Sequence, residues 1–133
     1  MNKIEHIGIA VKDLEAANKT YEALLGVAPY KSETVESESV TTSFFHCGES
    51  KIELLEALNE ESAIAKSIAK RGEGIHHIAF SVDNIEEEIQ RLSKQGFVVL
   101  NERPKKGADN KWVAFLHPKS ANGVLVELCQ EIE

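Results

Sequence analysis

His6-Ile-Gly-Ile-Ala-Val-Lys-Asp-Leu-Glu15 decides the reading of this chain, because it returns as His77-Ile-Ala-Phe-Ser-Val-Asp-Asn-Ile-Glu86, at an offset of 71 residues. Phe44-Phe45-His46 returns as Phe115-Leu116-His117 at the same offset. Ile52-Glu53-Leu54 returns as Val126-Glu127-Leu128 at an offset of 74, which places a slightly longer loop in the second copy. Three matches in one order, with one small length change, point to a duplication. Each copy carries a His near its start and a Glu near its end, both on apolar, strand-like runs.

The pattern around these landmarks predicts a βαβββ plan, made twice. Ile4 to Val11 alternates and is rich in β-branched residues, so it reads as a strand with Glu5, Ile7 and Ile9 on one face and His6, Gly8 and Ala10 on the other. Asp13 caps a helix in which Leu14, Ala17, Tyr21, Leu24 and Leu25 recur at helical spacing, and Gly26 stops it. Val40 to His46 and Lys51 to Leu55 are strands around a Cys47-Gly48-Glu49-Ser50 turn, with Thr34-Val35 a candidate short strand before them. In the second copy, Ile75 to Val82 is a strand, and Asn84 caps a helix carrying Ile85, Ile89 and Leu92 as far as Gly96. Phe97 to Leu100, Trp112 to Leu116 and Val124 to Cys129 read as three further strands, and residues 103–110 as a polar loop. Between the copies, Asn59 or Ser62 caps a helix with Ile64, Ala65, Ile68 and Ala69 on one face, ending at Gly72. The expected organisation is a single domain over residues 1–133, with modules at 1–58 and 74–133 joined by a connector helix at 59–73.

Bulk properties narrow the classes. A chain of 133 residues buries roughly two thirds of its unfolded surface as one domain, whereas a module of about sixty residues is small for a core of its own. The formal charge of −7 disfavours nonspecific binding to nucleic acid or an acidic membrane surface. No apolar stretch has the length to span a bilayer, and a strand pattern begins at once with no secretory signal, so a cytoplasmic setting is expected. Cys47 and Cys129 lack any disulfide-framework or paired zinc-finger spacing and read as reduced thiols.

Strand parity selects the chemistry. His6 and His77 point away from their apolar neighbours, and so do Glu53 and Glu127. An isolated ionised carboxylate on a partly buried strand is expensive, so it calls for a cation or a proton. A lone strand Glu is usually solvated and a lone His is usually a core or surface group. Recurrence of both types at equivalent positions favours the set. Two imidazoles and two carboxylates suit one divalent ion (Co, Mn, Ni, Zn or Fe), leaving positions for two oxygens of a substrate. His76 points to the opposite face, and His46 and His117 read as an echo of the duplication, with His117 a candidate at a pocket mouth. Lys105, Lys106, Lys111 and Lys119 flank the last hairpin as candidate contacts for an anionic substrate. No Gly-rich phosphate loop joins a strand to a helix.

These residues resemble the vicinal oxygen chelate superfamily, to which glyoxalase I (lactoylglutathione lyase), methylmalonyl-CoA epimerase, extradiol dioxygenases and metal-free resistance proteins belong. The resemblance covers the whole chain. It implies an α+β fold of two tandem βαβββ modules forming a cupped mixed sheet around a metal, with His6, Glu53, His77 and Glu127 as ligands. Gly74-Ile-His-His-Ile-Ala79, Leu58-Asn-Glu-Glu-Ser-Ala-Ile-Ala-Lys66 and Leu116-His-Pro-Lys-Ser-Ala-Asn-Gly-Val-Leu-Val-Glu-Leu128 resemble the methylmalonyl-CoA epimerases most closely. The implied activity is metal-dependent movement of the C2 proton of methylmalonyl-CoA through a stabilised enediolate, with Glu127 as base and Glu53 as ligand and second base. Glyoxalase I, acting on the methylglyoxal–glutathione hemithioacetal, is the alternative, since Glu53 and Ile78-Ala-Phe-Ser-Val-Asp-Asn84 suit it too. A non-catalytic resistance-type binder is the alternative of another class, and it has no need of four retained ligands. Thr41-Thr42 stands near the place where some epimerases carry a second catalytic Glu. The resemblance further implies a thioester substrate (an acyl-CoA or a glutathione adduct) and a homodimer, with no nucleic-acid or membrane partner.

Overall fold

The computed structural model describes residues 1–133. The chain divides into two compact units, residues 6–76 and residues 77–133 together with 1–5. Its strands are β1 (Lys3–Ala10), β2 (Lys31–Val35), β3 (Val40–Cys47), β4 (Ser50–Ala57), β5 (Gly74–Ser81), β6 (Lys105–Gly107), β7 (Lys111–Leu116) and β8 (Val126–Glu131). Its helices are α1 (Leu14–Leu25), α2 (Ala63–Arg71) and α3 (Ile85–Lys94). The result is a mixed α+β fold in which each unit carries the expected βαβββ order.

In the first unit the strands run β2-β3-β4-β1, with β1 parallel to β4 and the other pairs antiparallel. In the second they run β5-β8-β7-β6, with β5 parallel to β8. The duplication is visible in the register. Gly8 lies opposite Glu53 as Ala79 lies opposite Glu127, and Phe44 pairs with Glu53 as Phe115 pairs with Glu127.

Each parallel crossover is tied down in the same way. The Asp13 carboxylate accepts from the Ala16 N–H, and the Asn84 side chain accepts from the Glu87 N–H. The first amide of each helix donates to a side chain on the neighbouring strand: Leu14 N–H to Glu56, and Ile85 N–H to Gln130. Helix N-termini leave amides without intrahelical partners, so these four bonds satisfy donors that would otherwise be orphaned. Leu14, Ala17, Tyr21 and Leu25 of α1 pack on Val11, Phe45 and Leu54, and Gly26 at φ 76° ends the helix with its N–H on the Glu22 carbonyl. Leu24, one position off that stripe, is 69% exposed, contrary to its place in the expected apolar face. In the second unit Ile85, Ile89 and Leu92 pack on Ala114, Leu116 and Leu128.

The connector forms α2, capped by Ser62 through its Oγ on the Ile64 N–H, while Asn59 instead accepts from Glu61. Ile64 and Ile68 pack on Ala10, Val40 and Leu55, which share a strand face with His6 and Glu53. This helix therefore lies against the candidate-site face of its own unit.

Two expectations are corrected. Phe97 to Leu100 is not a strand: only Val99 bridges, to Leu116, while Val98 and Leu100 are more than half exposed. The fourth strand of that unit is instead β6, inside the stretch read as a polar loop, antiparallel to β7. Gly107 fits closely there: a Cβ at that position would stand 3.0 Å from the Val113 side chain, which would have to shift. No helix is long and apolar enough to cross a membrane.

Candidate metal centre

In the first unit, β1 presents His6 and β4 presents Glu53 on one face, and Nδ1 of His6 stands 3.0 Å from Oε2 of Glu53. In the second, β5 presents His77 and β8 presents Glu127, with Nε2 of His77 3.1 Å from Oε1 of Glu127. All four residues are at most 6% exposed. The duplication therefore produces the same buried pair twice. Two donors about 2.1 Å from one ion and at right angles to each other stand about 3.0 Å apart. Each pair has the spacing of neighbouring ligands on a single divalent ion, and its nitrogen and carboxylate donors suit one. The residues fit a metal.

Around each carboxylate the same neighbours recur. Phe44 lies across from Glu53 and Phe115 across from Glu127, and the Phe115 ring meets His77 edge-on at 5.9 Å. A lysine sits over each ring: Lys31 Nζ is 5.1 Å from the Phe44 centroid, and Lys105 Nζ is 5.9 Å from the Phe115 centroid. Lys31 pairs with Phe44 in register and Lys105 with Val113, two residues before Phe115, so the two cations reach matching rings from different rungs of the ladder. Each half therefore offers an imidazole, a carboxylate, an aromatic ring and a cation on one sheet face. Sequence reading missed Lys31, whose place over the Phe44 ring comes from the β2–β3 pairing and leaves no mark in the repeat.

The other expected contacts divide. Lys105 shares the face of Glu127, whereas Lys106 pairs with Trp112 in register and projects from the opposite face. Lys111 is buried and forms an ion pair with Glu131 at 3.2 Å, which commits it to that partner. Lys119 is the exposed residue of the 3-10 turn Pro118–Ala121, and Nδ1 of His117 caps that turn by accepting the Lys119 N–H. His117 is thus a turn cap. His46 is stacked on Tyr30 with ring centroids 4.0 Å apart.

Thr42 rather than Thr41 takes the Glu53 face of β3. Thr41 faces the other way, with its hydroxyl 3.2 Å from that of Thr34. Thr42 is fully buried, and its hydroxyl has no hydrogen-bond partner. A buried orphan hydroxyl is uncommon in native proteins, and this one lies two residues along β3 from the ring beside Glu53.

A fold of paired βαβββ units with a buried His–Glu pair in each defines the class. Residues 5–115 match the family model for the Glyoxalase/Bleomycin resistance protein/Dioxygenase superfamily, and the chain belongs to that superfamily. Among its relatives, the mitochondrial methylmalonyl-CoA epimerase of Homo sapiens is 40% identical over 131 residues, covering 98% of this chain and 74% of the human one. The uncharacterized protein YqjC of Bacillus subtilis is 43% identical over 130 residues, covering 98% and 93%. A solved Streptomyces coelicolor methylmalonyl-CoA epimerase, a variant in complex with 2-nitronate-propionyl-CoA, superposes with a TM-score of 0.92 at 35% identity, covering 98% and 95%.

Proposed function

We propose that this protein is an acyl-CoA epimerase of the methylmalonyl-CoA type, with one divalent ion held jointly by His6, Glu53, His77 and Glu127. The observation that carries the reading is the buried His–Glu pair made twice at matching places, in a chain whose relatives include methylmalonyl-CoA epimerases. When bound, the ion supplies Lewis acidity that draws charge onto the substrate oxygens as the C2 proton leaves.

The protein's own groups do the rest. Glu127, held beside His77, accepts the C2 proton on its carboxylate. Epimerisation needs the proton to return on the opposite face, so a second acid is required, and Glu53 is the carboxylate in the matching position. Thr42 presents only a hydroxyl, which does not ionise near neutral pH, so the second proton transfer rests on Glu53. Lys105 meets the anionic parts of the substrate, and Lys31 joins it by exchanging its Glu33 partner, 3.4 Å away, for the substrate. The lactoylglutathione lyase alternative draws no support from these relatives.

The test is deuterium exchange. Protein supplied with cobalt and dissolved in D2O is expected to replace the C2 hydrogen of methylmalonyl-CoA, followed as loss of that NMR signal. Lactoylglutathione formation from methylglyoxal and glutathione, without any such exchange, overturns the proposal. Within it, Lys31→Gln is expected to raise KM about fivefold with kcat nearly kept, because a partly exposed cation contributes roughly 1 kcal/mol to holding an anion. An unchanged KM removes Lys31 from the site.

A further inference from the structure

The Cys129 thiol donates to Oε2 of Glu127 at 2.7 Å, and both residues are buried. Oε1 of the same carboxylate is the oxygen beside Nε2 of His77. Glu127 and Cys129 are two apart on β8, so they rise side by side from one face. A thiol is a weak donor, but a carboxylate acceptor in buried surroundings strengthens the bond. The matching position in the first copy is Leu55, 74 residues earlier, which is buried and has nothing to donate to Glu53. The two carboxylates are alike by descent and held differently.

We propose that Cys129 is a positioning residue: its thiol stops the Glu127 carboxylate from turning and commits Oε1, the oxygen beside His77, to the metal. The inference rests on the metal-dependent reading above. The last torsion of a glutamate is broad and roughly two-fold, so without a restraint its two oxygens exchange places. A carboxylate free to turn can also chelate an ion through both oxygens, which would fill a position needed by substrate. With Oε2 engaged by sulfur, one oxygen remains to ligate, and Oε2 keeps a second lone pair for the C2 proton. Glu53 has no equivalent donor at its i+2 neighbour, Leu55.

A merely structural role gives the opposite mutational order. Cys129 packs against Ala79, Val113 and Phe115, so packing alone favours an apolar replacement such as Val over a polar Ser. Positioning favours Ser, whose hydroxyl donates as the thiol does, over Val, which cannot. The experiment measures cobalt affinity by titration calorimetry, and kcat and KM for exchange, on the full chain and on Cys129→Ser, Cys129→Val and Cys129→Ala.

Loss of a group that orients a metal ligand typically weakens metal binding about 10- to 100-fold. That loss is expected for Val and for Ala, with kcat falling more than KM rises. Ser is expected to stay within about threefold of the unsubstituted protein. If Val does not fold, the comparison of Ala with Ser decides in the same way. Val binding cobalt as tightly as the unsubstituted protein, or Ser binding no better than Val, overturns the inference. Cobalt binding in the expected order without exchange on methylmalonyl-CoA upholds it and sinks only the proposed substrate. No cobalt bound to the unsubstituted protein overturns both.

Discussion

Glu127→Gln is expected to slow exchange at C2 of methylmalonyl-CoA by about 10³-fold, within the 10²–10⁴ range that a positioned acid–base group contributes. It should also lower bound metal, because an amide oxygen is a neutral and weaker donor than a carboxylate. The residue is buried beside His77 and Cys129, so the loss falls on a group whose two oxygens are both engaged. Glu53→Gln should lower both as well, since the same amide oxygen ligates more weakly and cannot carry a proton. Thr41→Ala should change neither, because Thr41 faces away from Glu53. Exchange rate and metal content, measured together on the three proteins, check this ordering. Glu127→Gln turning over at the unsubstituted rate would remove Glu127 from proton transfer.

The contrast between Glu53 and Glu127 shows what was legible in the chain. The strand alternation around His6, Glu53, His77 and Glu127 settled which side chains share a face, because a β-strand has a period of two and cannot hide its parity. The helices were readable for the same reason, through period and caps: Asp13, Asn84 and Ser62 all cap as their positions suggest. What stayed hidden depends on partners remote in sequence. Lys105-Lys-Gly107 has little strand propensity and becomes β6 because β7 offers it a ladder, a tertiary effect that local composition does not register. Phe97 to Leu100 has the composition of a strand, yet only Val99 pairs, and its two neighbours look outward. The Glu56 and Gln130 caps reach amides 42 and 45 residues away. Cys129 read only as a reduced thiol, because strand parity places it beside Glu127 and leaves unsaid that the thiol donates to that carboxylate.

Phe45→Ala is expected to destabilise the protein by about 3–5 kcal/mol, the usual range for emptying a buried aromatic site. Phe45 is fully buried among Val11, Leu14 and Leu54, with the Tyr21 ring 6.4 Å away, so no solvent reaches the space it leaves. Its side chain projects from the face of β3 opposite Phe44, and hence away from the face that carries His6 and Glu53. The substitution therefore removes packing and leaves the donors intact, which separates stability from chemistry. An ion that binds only the folded state adds about 2.7 kcal/mol when present at a hundred times its dissociation constant. Cobalt at that level should recover most of the loss in Phe45→Ala, seen as a shift of the urea midpoint back toward that of the unsubstituted protein. In Glu127→Gln the same cobalt concentration should move the midpoint far less, because the donor set itself is damaged. Equal cobalt stabilisation of both variants would mean that the ion binds somewhere other than the paired His–Glu sites. Cobalt stabilising Phe45→Ala alone would tie the linkage to the buried carboxylate, since that variant keeps all four donors.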